Sequence, residues 1–265
     1  MILYPNTIFR VVSMQYSFLA SYALIIFALW YSRREHFGLE KKILTNSILA
    51  MVQLGLLGYA LVYLFKIDHP SLLFFVLFGM LLFGAYTARK RTPLGEESFK
   101  IALYSLGAAS GIVFVSMMVF GVIHLVPHEM IPIGGMIIGN ALNVYTQSTE
   151  RFRAEVKNTI ETIEGMVALG APLKEALSFA SKASVKASMI PTLNMLQTVG
   201  IIHIPGITTG MLLAGADPLK AVSYQLAVMY MMVAVALLSA LFSVLFSYRV
   251  IIAAAFSSPL AERRH

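Results

Sequence analysis

The sequence predicts an all-α, polytopic membrane protein of about seven transmembrane helices. The N-terminus is placed outside, the C-terminus in the cytoplasm, and a helical hairpin over about residues 148–187 is exposed to the cytoplasm. Three observations carry this. The 265-residue chain is 58% hydrophobic and 12% charged, with a mean hydropathy of +0.77; soluble domains carry about a quarter charged residues. Its apolar runs reach the roughly 20 helical residues needed to cross about 30 Å of hydrocarbon. Short basic clusters separate them, and one stretch, from Met130 to Pro191, turns from apolar into long and polar.

The first span covers about residues 11–31. It is too long for a signal-peptide core and lacks a small-residue cleavage site, so it is read as retained. The second covers 43–65 and ends in the loop Lys66-Ile-Asp-His-Pro; the third, 71–88, stops at Arg89-Lys90-Arg91. Pro93, Gly95 and Glu96-Glu97 mark a turn. The fourth, 101–123, meets His124, Pro127, His128 and Glu129, and a fifth begins near Met130. The sixth, 188–213, is interrupted at His203-Ile-Pro-Gly. The seventh, 221–252, is long enough to protrude into the cytoplasm. With this topology only Arg10, Lys66 and Lys220 of the 20 Lys and Arg fall outside, as the positive-inside rule requires. No repeat or low-complexity tract divides the chain, which reads as one domain.

Composition excludes several classes. The net charge of +7 sits in short clusters between apolar runs, which reads as a topology signal and argues against a nucleic-acid partner. The absence of Cys removes disulfides, thiolate nucleophiles and Cys-ligated metals. Neither H-E-x-x-H nor G-x-S-x-G occurs, so nothing nominates an intramembrane enzyme, and no phosphate-binding loop of the G-x-x-x-x-G-K-S/T type is present.

In the polar stretch, Phe152, Val156, Ile160, Ile163 and Val167 recur at helical spacing, with Arg151, Arg153, Glu155, Lys157, Glu161 and Glu164 between them. This predicts one amphipathic helix continuing the fifth span. Gly170 is placed to end it, and Pro172 to sit in the first turn of a second helix. There Leu173, Ala176, Leu177, Ala180 and Ala187 share a face, and Lys174, Lys182 and Lys186 line another. Such a basic face also suits anionic membrane lipid.

The runs IPIGGMIIGNA, LGAPLKEA and IPTLNMLQTVGIIHIPGITTGMLLAGADPLKAVSYQ resemble the FetB-type permeases. These are membrane subunits of ABC transporters, whose relatives include a bacterial iron exporter and a plant aluminium-tolerance permease. The similarity covers most of the chain and is densest over 131–225, where several Gly and Pro fall in register. The block from Glu164 to Gly170 also resembles the start of the ABC importer motif, E-A-A followed by G, although Pro191 comes later than that motif's proline, so no importer is inferred. The resemblance implies that Leu169, Gly170, Ala171 and Pro172, flanked by Glu164 and Lys174, belong to a coupling element docked in a groove of an ATP-hydrolysing subunit. It further implies a second copy of this chain in a two-plus-two complex, with ATP and Mg on the partner and no cofactor on this chain. The implied location is the bacterial cytoplasmic (inner) membrane. The implied cargo is iron or another metal moving outward, with a sugar nucleotide such as UDP-glucose as the alternative from the plant branch. Lacking a phosphate-binding loop, this chain needs its ATPase on a separate polypeptide.

Polar side chains inside spans default to functional candidates. Asn140, Asn143, Asn194, Gln197, His203, Thr208 and Thr209 are assigned to a translocation pathway, with Gln53 and Gln225 as further candidates; each could instead bond a neighbouring helix. Pro205 and Gly206 mark a break at membrane depth. Gly134, Gly135 and Gly139 suit close backbone approach or helix packing alone. A metal site is the second reading of the outer loops, where His124, His128 and Glu129 follow Asp68 and His69; imidazole and carboxylate suit a transition metal. A gradient-driven secondary transporter is the competing class, and it lacks an acidic residue within the spans to relay a proton.

Overall fold

The computed structural model describes residues 22–65, 69–202 and 204–262, with side chains omitted for Pro70 and 257–262. The described residues form helices and turns, without a β-strand. They divide into two compact units, Met1–Lys66 and Ile67–His265. The part of the first expected span up to residue 21 lies outside the described residues.

In the first unit, α1 (residues 22–34) and α2 (Glu40–Leu64) form a helical hairpin. Ser32 donates to Glu40 Oε1 at 2.8 Å across the turn, and Tyr22 bonds Met51 Sδ at 2.8 Å. No residue of α2 is buried. Beyond its polar first turns α2 is apolar and little covered within this unit, which suits a lipid surround.

The second unit is a bundle of α3 (Pro70–Arg91), α4 (Ser98–Val119), α5 (Pro127–Asn158), α8 (Ser178–Thr198) and α10 (Pro218–Glu262). The short helices α6 (Ile160–Ala168) and α7 (Leu173–Ala176) lie between α5 and α8, and α9 (Gly206–Leu213) precedes α10. Helices α2, α3, α4 and α10 are long and apolar enough to cross a bilayer. Helices α5 and α8 are long enough, but each joins an apolar half to a polar one, so neither reads as a uniform span. Pro132 and Pro191 lie inside α5 and α8 without ending them.

Helices α5 and α10 run side by side in the same direction. Asn140 donates to the Met232 carbonyl at 3.0 Å, Ser239 to Ala141 at 2.7 Å and Ser148 to Ala240 at 3.2 Å. Helix α8 runs against them, with Met189 packed among Val144, Ala236 and Ala240. The seam is dry and made of small residues: Ala141, Ser148, Ala236, Ser239, Ala240 and Ser243 are fully buried. At 1.5 Å per residue the 45 residues of α10 extend about 67 Å, roughly twice the hydrocarbon thickness. The helix is thus longer than a single crossing requires.

Three expectations are corrected here. The polar helix does not run unbroken to Gly170: it breaks at Thr159, whose backbone (φ −115°, ψ 19°) leaves the helical region while its hydroxyl bonds the Glu155 carbonyl at 2.7 Å. A threonine hydroxyl that takes a carbonyl of the preceding turn often bends a helix. Pro172 sits before the next helix, not in its first turn, and that helix is one turn long before Leu177 redirects the chain into α8. The sixth span does not start at Ser188: α8 carries the chain from residue 178 without interruption, and its break spans 199–205.

Of the span glycines, Gly134 is a packing residue. A Cβ there would collide with the Leu77 side chain of α3, whereas one on Gly139 would meet nothing. Gly134→Val is expected to destabilise the bundle by about 1–3 kcal/mol through overpacking. Gly139→Ala should be neutral or slightly stabilising. Thermal unfolding in detergent distinguishes them, and equal midpoints would contradict the α3–α5 packing.

Candidate functional site

Three places collect the sequence-nominated residues, and the exposed corner between α6 and α7 is the most sharply built. Helix α6 ends with Gly170 N–H bonded to the Val167 carbonyl (3.0 Å) and Ala171 N–H to Met166 (2.9 Å). These paired bonds are a Schellman cap. Gly170 has φ +93°, a left-handed conformation that other residues rarely adopt. Pro172 follows in an extended conformation (φ −59°, ψ 141°) immediately before α7. The cap thus fixes the direction in which the chain leaves α6.

The surface presented is apolar at its tip. Leu169 is 91% exposed, and Met166, Val167, Leu173 and Phe179 are exposed as well. Glu164 and Lys174 are exposed on either side, Pro172 is exposed and Ala171 half-buried. Beneath the tip, Phe152, Val156, Ile163, Ala176, Leu177 and Ala180 are buried, while Ile160 and Ala187 are half-buried. A protrusion with its own small core and a bare leucine at the summit is shaped for a partner's groove, since exposed apolar groups in contiguity mark contact surfaces.

The second place is the interruption between α8 and α9. Met189 is level with Ala236, so Thr198, nine residues along α8, stands about 13 Å further, opposite about residue 227. On the other side of the break Thr208 donates to Gln225 Oε1 at 3.4 Å, and both are buried. A cavity of about 360 Å³ lies here, lined by Gly200, Pro205, Thr208, Gln225 and Met229 among others. The break therefore faces α10 about 10–16 Å in from Pro218. For a helix entering hydrocarbon at its first turn, that is near the bilayer midplane. Interrupted helices at this depth are tolerated where they line protein or a watery cavity, and they free backbone carbonyls toward it.

The remaining pathway candidates divide. Asn140 ties α5 to α10 through the Met232 carbonyl. Asn143 accepts a 3.2 Å bond from Arg91 at the end of α3. Asn194, Gln197 and Gln53 are exposed, and Thr209 bonds the Pro205 carbonyl within its own helix. Asn143 is exposed on α5 one turn before Gln147 and Glu150, which with Arg151, Ser188 and Pro191 border a polar cavity of about 610 Å³ between α5 and α8. His203 lies outside the described residues.

The outer-loop residues form a pair, not a cage. Glu129 Oε2 accepts from the His124 backbone N–H at 2.8 Å and lies 3.0 Å from His124 Nδ1. His128 is exposed beside them. Among the described residues no three His, Asp or Glu side chains gather as a metal site; Asp68 is outside the described residues. Glu129 here closes the loop before α5, a structural task that spacing alone does not reveal.

Sequence reasoning passed over the buried hydroxyls: Ser105, Ser148, Ser239, Ser243 and Ser247, with Tyr145 and Thr149. The spacing of Ser239, Ser243 and Ser247, four apart, with Ala236 and Ala240 at the same interval beside them, was the available signal, because it places one small-residue stripe on α10.

Comparison with known proteins closes the description. The family described as "Uncharacterised protein family (UPF0014)" matches residues 15–252. The chain is 32% identical over 226 residues to the "Probable iron export permease protein FetB" of Escherichia coli, covering 85% of this chain and 87% of that one. It is 33% identical to "UPF0014 membrane protein YjkA" of Bacillus subtilis, covering 81% and 86%. It is 30% identical to "Protein ALUMINUM SENSITIVE 3" of Arabidopsis thaliana, covering 84% and 82%. No solved structure matches. The resemblance read from the Gly- and Pro-containing runs is thereby borne out.

Proposed function

The chain belongs to the UPF0014 family of multi-pass membrane proteins, and we propose that it is the permease subunit of an ABC-type exporter, moving iron or another metal out of the cytoplasm. The observation that carries the reading is the capped corner at Leu169–Pro172. A permease without a phosphate-binding loop needs a rigid protrusion through which a separate ATPase moves the spans, and this corner carries an almost fully exposed leucine on a backbone fixed by its cap. Three further features support it. The corner continues α5, whose other half lies in the bundle. The break between α8 and α9 sets the buried Thr208–Gln225 pair beside a cavity of about 360 Å³. The relative in Escherichia coli is named for iron export.

In this reading the chain crosses the bacterial inner membrane about seven times. The half-helix α8, the break and α9 together make one crossing, and the basic ends of α3, α5 and α8 lie in the cytoplasm. Two copies join two ATP-binding subunits, which hold ATP and Mg. The test is co-purification with a candidate ATP-binding subunit, followed by ATP turnover in proteoliposomes with and without iron. Stable association and iron-stimulated turnover are the expected results. Association without stimulation would remove the metal and leave the permease; no association would remove the ABC assignment and favour a gradient-driven transporter.

A further inference from the structure

A groove of about 780 Å³ in the second unit runs from the α6–α7 corner along α8. It lies between α7–α8 and the later part of α10. Its walls are apolar: Leu177 and Val185 on one side, Leu241, Val244 and Leu245 on the other. Its rim is cationic, with Lys174, Lys182 and Lys186 along one edge. Tyr248 closes one end and accepts a 2.9 Å bond from Arg249 Nε.

Among the described residues that line the groove none is acidic. Helix α8 and residues 218–256 of α10 contain no Asp or Glu. Glu175, on the one-turn helix beside Lys174, is exposed and does not line the groove. Among the described residues none of the three lysines forms an ion pair. Lysine stems cover apolar surface while the ammonium stays at its edge, so the groove is oily within and positive at its margin.

The depth of the groove identifies what meets those two properties together. Arg91, the last of the basic cluster ending α3, bonds Asn143. Next to Asn143, Val144 packs against Met189 and Ala236. The groove starts one turn beyond that level, at Val185 and Leu241, and runs away from the apolar half of the bundle. It therefore opens where an apolar span gives way to a basic cluster, which is where headgroups lie.

We propose that this groove is a binding site for an anionic phospholipid. An acyl chain enters from the membrane at the near end, along Val185, Leu241 and Leu245, and the phosphate is held further out by Lys174, Lys182 and Lys186. Basic pockets between membrane helices on the cytoplasmic side recognise headgroups by this combination. The site does not depend on the cargo, and it shares Lys174 with the corner proposed to dock the ATPase.

The purified full chain is incubated in detergent with equal amounts of phosphatidylglycerol and phosphatidylcholine, and retained lipid is read by native mass spectrometry. Wild type is expected to retain phosphatidylglycerol preferentially. The triple variant K174Q/K182Q/K186Q should lose that preference by roughly tenfold or more. A charge-matched control, K41Q/K42Q/K100Q, removes the same number of cations elsewhere and should keep it. Equal retention of both lipids by wild type, or unchanged preference in the groove triple variant, overturns the proposal. A second copy is the other occupant that could close the groove. Because the chain has no Cys, Leu245→Cys reports it cleanly: disulfide-linked dimers formed in the membrane would make the groove a protein interface and also overturn the lipid site.

Discussion

In the ABC exporter proposed above, Gly170→Val is expected to lower ATP-driven transport roughly tenfold while leaving the chain folded and inserted. The physical cause is confined to the backbone. A Cβ on Gly170 would meet nothing within van der Waals range, so no clash spreads into the bundle. The left-handed conformation at φ +93° costs an ordinary residue about 1–2 kcal/mol, and a β-branched one more. A penalty of about 1.4 kcal/mol is a factor of ten in the population of the capped corner, and an uncapped corner no longer presents Leu169 in a fixed direction. Gly170→Asn separates this from any generic loss, because Asn tolerates the left-handed region, and it should retain most activity. Leu169→Asp gives a second axis: it leaves the cap intact, removes the apolar summit, and should weaken co-purification with the ATPase. Transport and ATP turnover in proteoliposomes are the measurements. Wild-type coupling in Gly170→Val would show that the corner is not the docking element.

That corner was legible in the sequence because its chemistry is local. A glycine after an amphipathic run and a proline two residues later specify a helix end and a restart, and the Schellman cap at Val167–Ala171 is the result. The interruption near Pro205 was legible for the same reason, though its extent was not: Pro205 beside Gly206 marks a break that Pro132 and Pro191, inside α5 and α8, do not make, and the chain had already left α8 at Thr198. Thr159 was not legible, because threonine is ordinary in a helix until its hydroxyl takes the carbonyl one turn back. The continuity of α8 from Ser178 was hidden by composition, since half of it is polar and half apolar, and span reading divides a chain by hydropathy where the backbone does not. Tertiary partners were least visible of all. Nothing in Glu129 says that it will cap His124 instead of joining His128, and nothing in Lys182 or Lys186 says that they border a groove whose other wall is sixty residues away on α10.

The serine seam joining α5 to α10 is where a single substitution should do the most damage to the fold, and size, not hydrogen bonding, sets the effect. Ser239 is fully buried and donates to the Ala141 carbonyl at 2.7 Å, with Ala240 and Ser243 beside it equally buried. In a membrane the polar partners of an interhelical bond average about 0.6 kcal/mol, and the Ala141 carbonyl still lies within the α5 ladder when the hydroxyl is removed. Ser239→Ala should therefore lower the unfolding midpoint in detergent by only about 1–2 °C. Ser239→Leu must place a branched side chain where two helices touch, an overpacking of about 3 kcal/mol that corresponds to roughly 6–12 °C for a chain of this size. The consequence reaches the corner, because α5 is the lever that ends at Thr159 and carries α6, and α10 is the post it leans on. Ser239→Leu should thus lose both stability and coupling, whereas Gly170→Val loses coupling alone. If Ser239→Ala proved as harmful as Ser239→Leu, the seam would be held by its hydroxyls and the close packing of α5 on α10 would not be what stiffens the lever.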